Sequence, residues 1–424
     1  MEYRERIADQ LLRDKLEAMG AVLIEGPKAC GKTTTAKQQA KSVLYMDDPR
    51  KQEYYQQLAQ TDIGLLLAGD NPRLIDEWQE IPRFWDAIRF EIDRRGEDGL
   101  FMLTGSAVPA DFSKIHHTGT GRYGWLTMRP MSLWESGESS GEISLSELFR
   151  APKRIMGQNA LALTELAFLI CRGGWPKSLQ KKTERAALLQ AAEYYKAIVN
   201  SDISRVDNVR RDEERTKRIM RSYARLQSMQ ASIATILADI AVNETENISD
   251  ETVDSYLSAL RKIFVIEDMP AWNPNLRSKT AVRTSDTRYY VDPSIGAAAL
   301  GLGPRDLISD LKAMGIFFET LCIRDLRVYA DALDGMVYHY RDKNGLECDA
   351  VLHLRNGSYG LIEIKLGGDT LIEEAAKNLT ALTNIIDTTR MKVPSFRMVL
   401  IGAGEHAYRR ADGIYVVPVG CLKD

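Results

Sequence analysis

Between an apolar run, Ala21 to Ile24, and a helix-compatible segment, Thr34 to Lys41, lies the stretch Gly26-Pro27-Lys28-Ala29-Cys30-Gly31-Lys32-Thr33. A strand, a glycine-bounded loop ending in lysine and a hydroxyl residue, and then a helix serve one physical purpose. The glycines let the backbone curl so that successive N–H groups and the helix N-terminus face an anion. Lys32 then meets the β- and γ-phosphates of a nucleoside triphosphate. Thr33 offers Mg²⁺ a hydroxyl, a role open only to Ser or Thr, and Thr34 continues the helix start. Cys30 reads as filler inside the loop. Such a loop also dictates a fold: a doubly wound parallel α/β sheet with helices on both faces.

A second apolar strand ends in acids, Arg73-Leu74-Ile75-Asp76-Glu77. Asp76 at the strand end is placed to hold Mg²⁺, mostly through water, and Glu77 to polarise the water that attacks the γ-phosphate. A third strand, Leu100 to Leu103, ends in Thr104-Gly105-Ser106, at the ligand edge of an open α/β sheet. Thr104 or Ser106 is therefore expected to sense the γ-phosphate. Arg122 follows a glycine-rich stretch and is a candidate charge stabiliser that reaches a neighbouring subunit, so a homo-oligomer is expected.

The chain has 424 residues, enough for several domains, and 44% hydrophobic residues, enough for real cores. A net charge of −3 gives no whole-chain nucleic-acid signal, so any basic surface must be local. Five scattered cysteines without metal-site spacing point to reduced thiols in a cytosol. The charged start Met-Glu-Tyr-Arg-Glu-Arg lacks a secretory core, and the best apolar run, Leu161 to Cys171, is broken by Glu165, so no membrane span is expected.

Four domains are expected: an ATPase core over 1–144, a helical lid over 145–211, a winged helix over 212–295, and an α/β domain over 296–424. The lid contains Gly173-Gly174-Trp175-Pro176 and resembles the small helical lid of AAA-type and STAND-type ATPases. That resemblance implies that Gly174 and Pro176 pack against adenine. The third domain shows three helical patterns, Arg218 to Leu226, Ser232 to Val242 and Asp250 to Phe264, then two strand patterns, Val265 to Met269 and Tyr289 to Asp292. Three helices and a hairpin describe a winged helix-turn-helix, whose wing would carry Arg277, Lys279, Arg283 and Arg288 toward DNA phosphates.

The last domain holds a second constellation, Glu347-Cys348-Asp349 and, past Asn356-Gly357, Glu363-Ile364-Lys365. Turn geometry decides whether these residues meet. A two-residue loop pairs Ala350 with Glu363, whereas a three-residue loop with Gly357 left-handed pairs Asp349 with Glu363, and the second is expected. Period-two alternation then puts Glu363 and Lys365 on one face. Asp349 and Glu363 can share a divalent metal while Lys365 orients water beside a phosphodiester. This pattern resembles the PD-(D/E)XK nuclease core, with Glu319 at its helical acidic position and Cys348 where a proline commonly stands.

The whole chain resembles a prokaryotic family with an AAA-type ATPase core and a C-terminal restriction-endonuclease-like domain. The ordered landmarks are G-P-K-A-C-G-K-T, L-I-D-E-W-Q-E-I-P, L-T-G-S-A, R-P-M-S-L-W-E, G-G-W-P, D-P-S, F-F-E-T-L, and E-C-D-A-V with I-E-I-K-L-G. The resemblance implies binding of ATP with Mg²⁺, with DNA as an expected partner; a nucleotide-controlled switch with a non-cleaving tail is the alternative.

Overall fold

The computed structural model describes residues 3–106, 118–207, 209–243, 248–273 and 285–424. The chain folds into two compact units. One comprises Met1–Pro130, Asn200–Arg211 and Ser258–Val265; the other comprises Met131–Val199, Asp212–Leu257 and Ile266–Asp424.

In the first unit, β1 (Ala21–Glu25), β2 (Ser42–Tyr45), β3 (Arg73–Asp76), β4 (Phe101–Gly105) and β5 (Tyr123–Thr127) form an all-parallel sheet in the order β2-β3-β4-β1-β5. Near-continuous apolar runs suit strands covered on both faces. Alternation along β1 divides the core: Ala21 and Leu23 pack with Trp78, Phe84, Trp85 and Ile88, whereas Val22 and Ile24 pack with Leu12 and Leu16 of the helix Ile7–Ala18. The parallel register aligns Glu25 with Gly105 and Asp76 with Thr104, so the carboxyl ends of β1, β3 and β4 form one edge. The phosphate-loop helix runs Lys32–Gln39 and starts earlier than the pattern Thr34 to Lys41, because the loop feeds straight into its first turn.

In the second unit, two short strands, β6 (Ile143–Ser144) and β7 (Gly157–Gln158), precede β8 (Gly335–Arg341), β9 (Glu347–Leu354), β10 (Tyr359–Lys365), β11 (Phe396–Ile401), β12 (His406–Arg409), β13 (Tyr415–Pro418) and β14 (Leu422–Lys423). Seven of them make a mixed sheet in the order β7-β12-β13-β11-β10-β9-β8, and β14 pairs with β6. Helix Asp369–Ile385 lays Ile372, Ala375, Leu379 and Leu382 onto this sheet against Val351, Leu361 and Val399.

The three-helix pattern is present as Glu213–Arg225, Ile233–Asn243 and Asp250–Lys262, followed by antiparallel bridges Ile266–Tyr290 and Met269–Thr287. The hairpin does not end as a free wing. Ala271 bridges His339 on β8, Trp272 N–H donates to the His339 carbonyl at 2.6 Å, and the His339 N–H donates to the Pro270 carbonyl at 3.1 Å, covering the sheet edge. Arg288 is a correction to the phosphate-contact set. It is buried, 2.6 Å from Asp268 and bonded to the Ala231 carbonyl, because a buried guanidinium needs a countercharge inside the fold. Arg277, Lys279 and Arg283 lie outside the described residues.

Several landmark motifs meet in a buried polar cluster of the second unit. Arg324, on the 22-residue helix Leu311–Ala332, lies 2.9 Å from Asp292 and 2.7 Å from Asp325, all three buried. Asp292 also accepts the N–H of Gly174 at 2.9 Å, and Asp325 accepts that of Leu133 at 3.0 Å. All five cysteines are free and buried, and among the described residues no helix is long and apolar enough to cross a membrane.

Candidate nucleotide site and a second acidic centre

The loop after β1 takes the backbone it needs. Gly26, Ala29 and Gly31 have φ of 145°, 61° and 110°, and a Cβ on Gly26 would lie 2.1 Å from the Met128 carbonyl oxygen. Lys32 is buried and folds back, donating to the carbonyls of Gly26 and Pro27 at 2.8 Å each. Pro27 is buried in the loop, Lys28 and Ala29 lie exposed on it, and Thr34 is exposed on the first helical turn. Lys28 Nζ reaches Asp202 Oδ1 at 2.6 Å. Cys30 is buried filler, in a cluster with Val22, Ile24 and Ala36.

At the sheet edge, Thr33 donates its hydroxyl to Asp76 Oδ1 at 2.7 Å, and Thr104 donates to the same oxygen at 2.5 Å. Glu77 accepts from Gln79 Nε2 at 2.5 Å and from the Ser106 hydroxyl at 3.2 Å. Both hydroxyls expected to sense phosphate hold the acids in this structure; Thr104 is fully buried, so its proton goes to the nearest carboxylate. Glu25, at the end of β1, has its carboxyl pushed up by burial, against the opposing hydrogen bond from Thr127.

Arg122 stands elsewhere. It immediately precedes β5, and its carbonyl accepts the N–H of Ala21 at the start of β1, so it lies at the amino edge of the sheet, opposite the phosphate loop. Its guanidinium is 2.8 Å from Asp93. In cis it cannot serve this site. Gly174 and Pro176 belong to the second unit, where their geometry is explained without a ligand. A Cβ on Gly174 would lie 2.1 Å from the Met131 carbonyl oxygen, its carbonyl accepts the Met131 N–H at 2.7 Å, and Pro176 starts the short helix Pro176–Leu179. Gly174 is required there for close backbone approach.

In the C-terminal sheet, β9 and β10 pair His353 with Tyr359 through Ala350 with Ile362, and one further step sets Asp349 opposite Glu363. The loop has three residues, with Gly357 at φ 80°, the register that turn geometry leads one to expect. Lys365 Nζ lies 2.9 Å from Asp349 Oδ2 and 2.8 Å from Glu363 Oε2, and Asp349 also accepts the N–H of Ile364 at 2.7 Å. Glu363 is fully buried, and neither of its carboxylate oxygens has a hydrogen bond of good geometry among the described residues. Burial, then the charge of Asp349, pushes its pKa up to about 8. Burial opposes the charge of Lys365, but Asp349 and Glu363 outweigh it and raise its pKa above the usual lysine range. Glu319 accepts the Tyr289 hydroxyl at 2.5 Å, and burial followed by Asp349 raises its pKa to about 8. The metal set expected from the sequence was Glu319, Asp349 and Glu363. Among the described residues no three such side chains are arranged around one ion, because the Lys365 ammonium already stands between two of them and Glu319 is engaged by Tyr289.

The family model described as an AAA domain matches residues 19–136. Residues 19–136 are an AAA domain. After this AAA domain come two domains of unknown function, DUF8612 over residues 163–306 and DUF4143 over residues 314–422. The chain is homologous to uncharacterised proteins Rv2008c of Mycobacterium tuberculosis and Mb2031c of Mycobacterium bovis. Each is 24% identical over 420 residues, spanning 99% of this chain and 84% of the relative. Among solved structures, a Walker-type ATPase of Pyrococcus abyssi is 15% identical, with 70% of this chain and 96% of that one covered and a TM-score of 0.43. The ORC1 protein of Aeropyrum pernix, solved in complex with DNA, is also 15% identical, with 69% and 91% covered and a TM-score of 0.22.

Two supports of the AAA domain escape sequence reasoning. Arg6, buried ahead of the first helix, donates to the carbonyls of Cys30 and Arg129 at 3.0 Å each, clamping the phosphate loop from behind. Its backbone N–H is capped by Asp9, and Tyr3 bridges Asp9 and the Thr35 hydroxyl. No local pattern marks Arg6, whose partners lie far along the chain. Gln79 was legible only as part of Asp-Glu-Trp-Gln; its grip on Glu77 follows from the left-handed turn between them.

Proposed function

We propose that this chain binds and hydrolyses ATP with Mg²⁺ and uses the cycle to control the parts that follow the AAA domain. The observation that carries the reading is the meeting of Thr33, Asp76 and Thr104 at one sheet edge, beside a loop whose lysine rests on its own carbonyls. A hydroxyl and a carboxylate 2.7 Å apart form an oxygen donor pair suited to a hard cation. Thr33 and Asp76 would hold Mg²⁺, whose charge would offset that of the phosphates. Lys32 exchanges two loop carbonyls for phosphate oxygens, and the N–H groups of the loop bind the same anion. Glu77, aimed by Gln79 and Ser106, draws the proton of the attacking water. Phosphate release from Mg²⁺ and ATP should be measurable with the whole chain, and Asp76→Asn should abolish it. Wild-type turnover by that variant would defeat the assignment.

For residues 314–422 we infer a restriction-endonuclease-like centre built on Asp349, Glu363 and Lys365, supported by their register and shared face. The first functional reading is a DNA-associated ATPase with a metal-dependent nuclease tail, the three helices and hairpin approaching DNA. The second is a nucleotide-controlled switch whose tail does not cleave. Two observations favour the second. The carboxylates are already countered by Lys365, and the third helix turns Asp250, Glu251 and Asp254 to solvent, a surface that repels phosphates. Plasmid nicking with Mg²⁺ or Mn²⁺, with and without ATP, separates the two. Nicking lost in Asp349→Ala with ATPase retained supports the nuclease, and intact plasmid beside active ATPase supports the switch.

A further inference from the structure

The phosphate loop carries a second lysine, and an acid distant in sequence holds it. Lys28 lies on the exposed loop between Pro27 and Ala29, and its Nζ stands 2.6 Å from Asp202 Oδ1. Lys28 is 47% exposed and Asp202 11%, both within the first unit.

Asp202 is presented by an irregular element. It ends a π-helical turn, Ile198–Asp202, and begins the short helix Ile203–Arg205. Single π turns interrupt regular hydrogen bonding and recur where a helix must aim a side chain. Beyond it the chain is drawn into a hook by Arg211, whose buried guanidinium donates to the Ile203 carbonyl at 2.9 Å and to Asp207 at 2.7 Å and 2.9 Å. The hook fixes the backbone just past Asp202, so the acid is held against the loop by the fold.

A carboxylate against a loop built to bind anions opposes an incoming phosphate. An ion pair whose lysine is half exposed is weak and is readily exchanged for a stronger anion. A triphosphate on the loop carries more charge than one carboxylate and is bound by several N–H groups at once. We propose that Asp202 is a stand-in anion for the phosphate loop: it occupies Lys28 when no nucleotide is bound and is displaced when the phosphates claim that lysine. The segment of residues 203–207 would then register the nucleotide state directly. This inference rests on the ATP-binding reading above.

The test uses the whole chain and a fluorescent, non-hydrolysable ATP analogue, with affinity measured for wild type, Asp202→Asn, Lys28→Gln, the double variant and Lys32→Ala. Asn is isosteric with Asp and spares the fold. Asp202→Asn should bind the analogue about two- to five-fold more tightly, the range spanned by an exposed ion pair. That gain should vanish when Lys28 is already Gln. Hydrogen exchange of residues 203–207 should rise when the analogue binds to wild type, and should be high without nucleotide in Asp202→Asn. Unchanged or weaker binding in Asp202→Asn, or the same gain with and without Lys28, overturns the proposal. Failure of the ATP-binding reading looks different: wild type and Lys32→Ala would then be equally poor binders.

Discussion

Glu77 adopts φ 55° and ψ 47°, a left-handed backbone that glutamate rarely takes. The turn swings its carboxylate to Gln79 and Ser106 and away from the Asp76 side chain, so adjacent acids in the sequence occupy different environments. A division of labour between them was expected from the strand ending Ile75-Asp76-Glu77, but the identity of their holders was not legible there. A strand pattern gives order along the chain, and Thr104 reaches Asp76 only because β4 inserts between β3 and β1. Glu77→Gln should retain ATP binding and lose about 10²- to 10⁴-fold in turnover, the usual contribution of a positioned base. Equilibrium binding alongside single-turnover hydrolysis checks this, and loss of binding would make Glu77 structural. Lys32→Ala should lose binding itself, because charge-assisted bonds to phosphate disappear.

At the level of elements, the β9–β10 hairpin was readable because Asn356-Gly357 restricts the turn and period two does the rest. The wing was readable only as a hairpin. Its continuation onto β8 depends on a strand more than sixty residues further along, which no local pattern can announce. Gly174 shows a related limit: a glycine demanded by a neighbouring backbone looks, in sequence, like one demanded by a ligand. The helix Leu311–Ala332 carries the strongest stability prediction. Arg324→Ala would leave Asp292 and Asp325 buried without a countercharge and should cost about 3–5 kcal/mol, read from urea unfolding. A change within the scatter of surface substitutions would mean that the cluster rearranges without cost.

For the whole molecule, the buried acids set a direction with pH. Glu319 and Glu363 have pKa values raised from 4.5 to about 8, and Asp325 is raised to about 6, burial being the largest cause for each. The folded chain therefore keeps protons that the unfolded chain releases, and stability should fall as pH rises from about 4.5 to about 8. Lys365 has the same sign but acts only above the ordinary lysine value, outside this window. Unfolding midpoints across that range should decline, less steeply in Glu363→Gln; a midpoint that rises throughout would contradict the burial argument. Assembly belongs to this scale too. Since Arg122 lies at the sheet edge opposite its own phosphate loop, any part it takes in hydrolysis would be at a neighbour's site, and light scattering should then show association with Mg²⁺ and an ATP analogue. A monomer with full ATPase activity would leave Arg122 to its partner Asp93.

The C-terminal sheet borrows both of its borders from earlier parts of the chain: β7, near residue 157, lines one side, and Ala271 covers β8 on the other. A polypeptide limited to residues 296–424 would lack both borders. Its unpaired strands would offer rows of backbone donors and acceptors to other copies, so it should sediment as large, protease-sensitive aggregates, whereas residues 131–424 restore both borders. During synthesis the two borders emerge from the ribosome before the strands they protect, so the sheet can close as it forms.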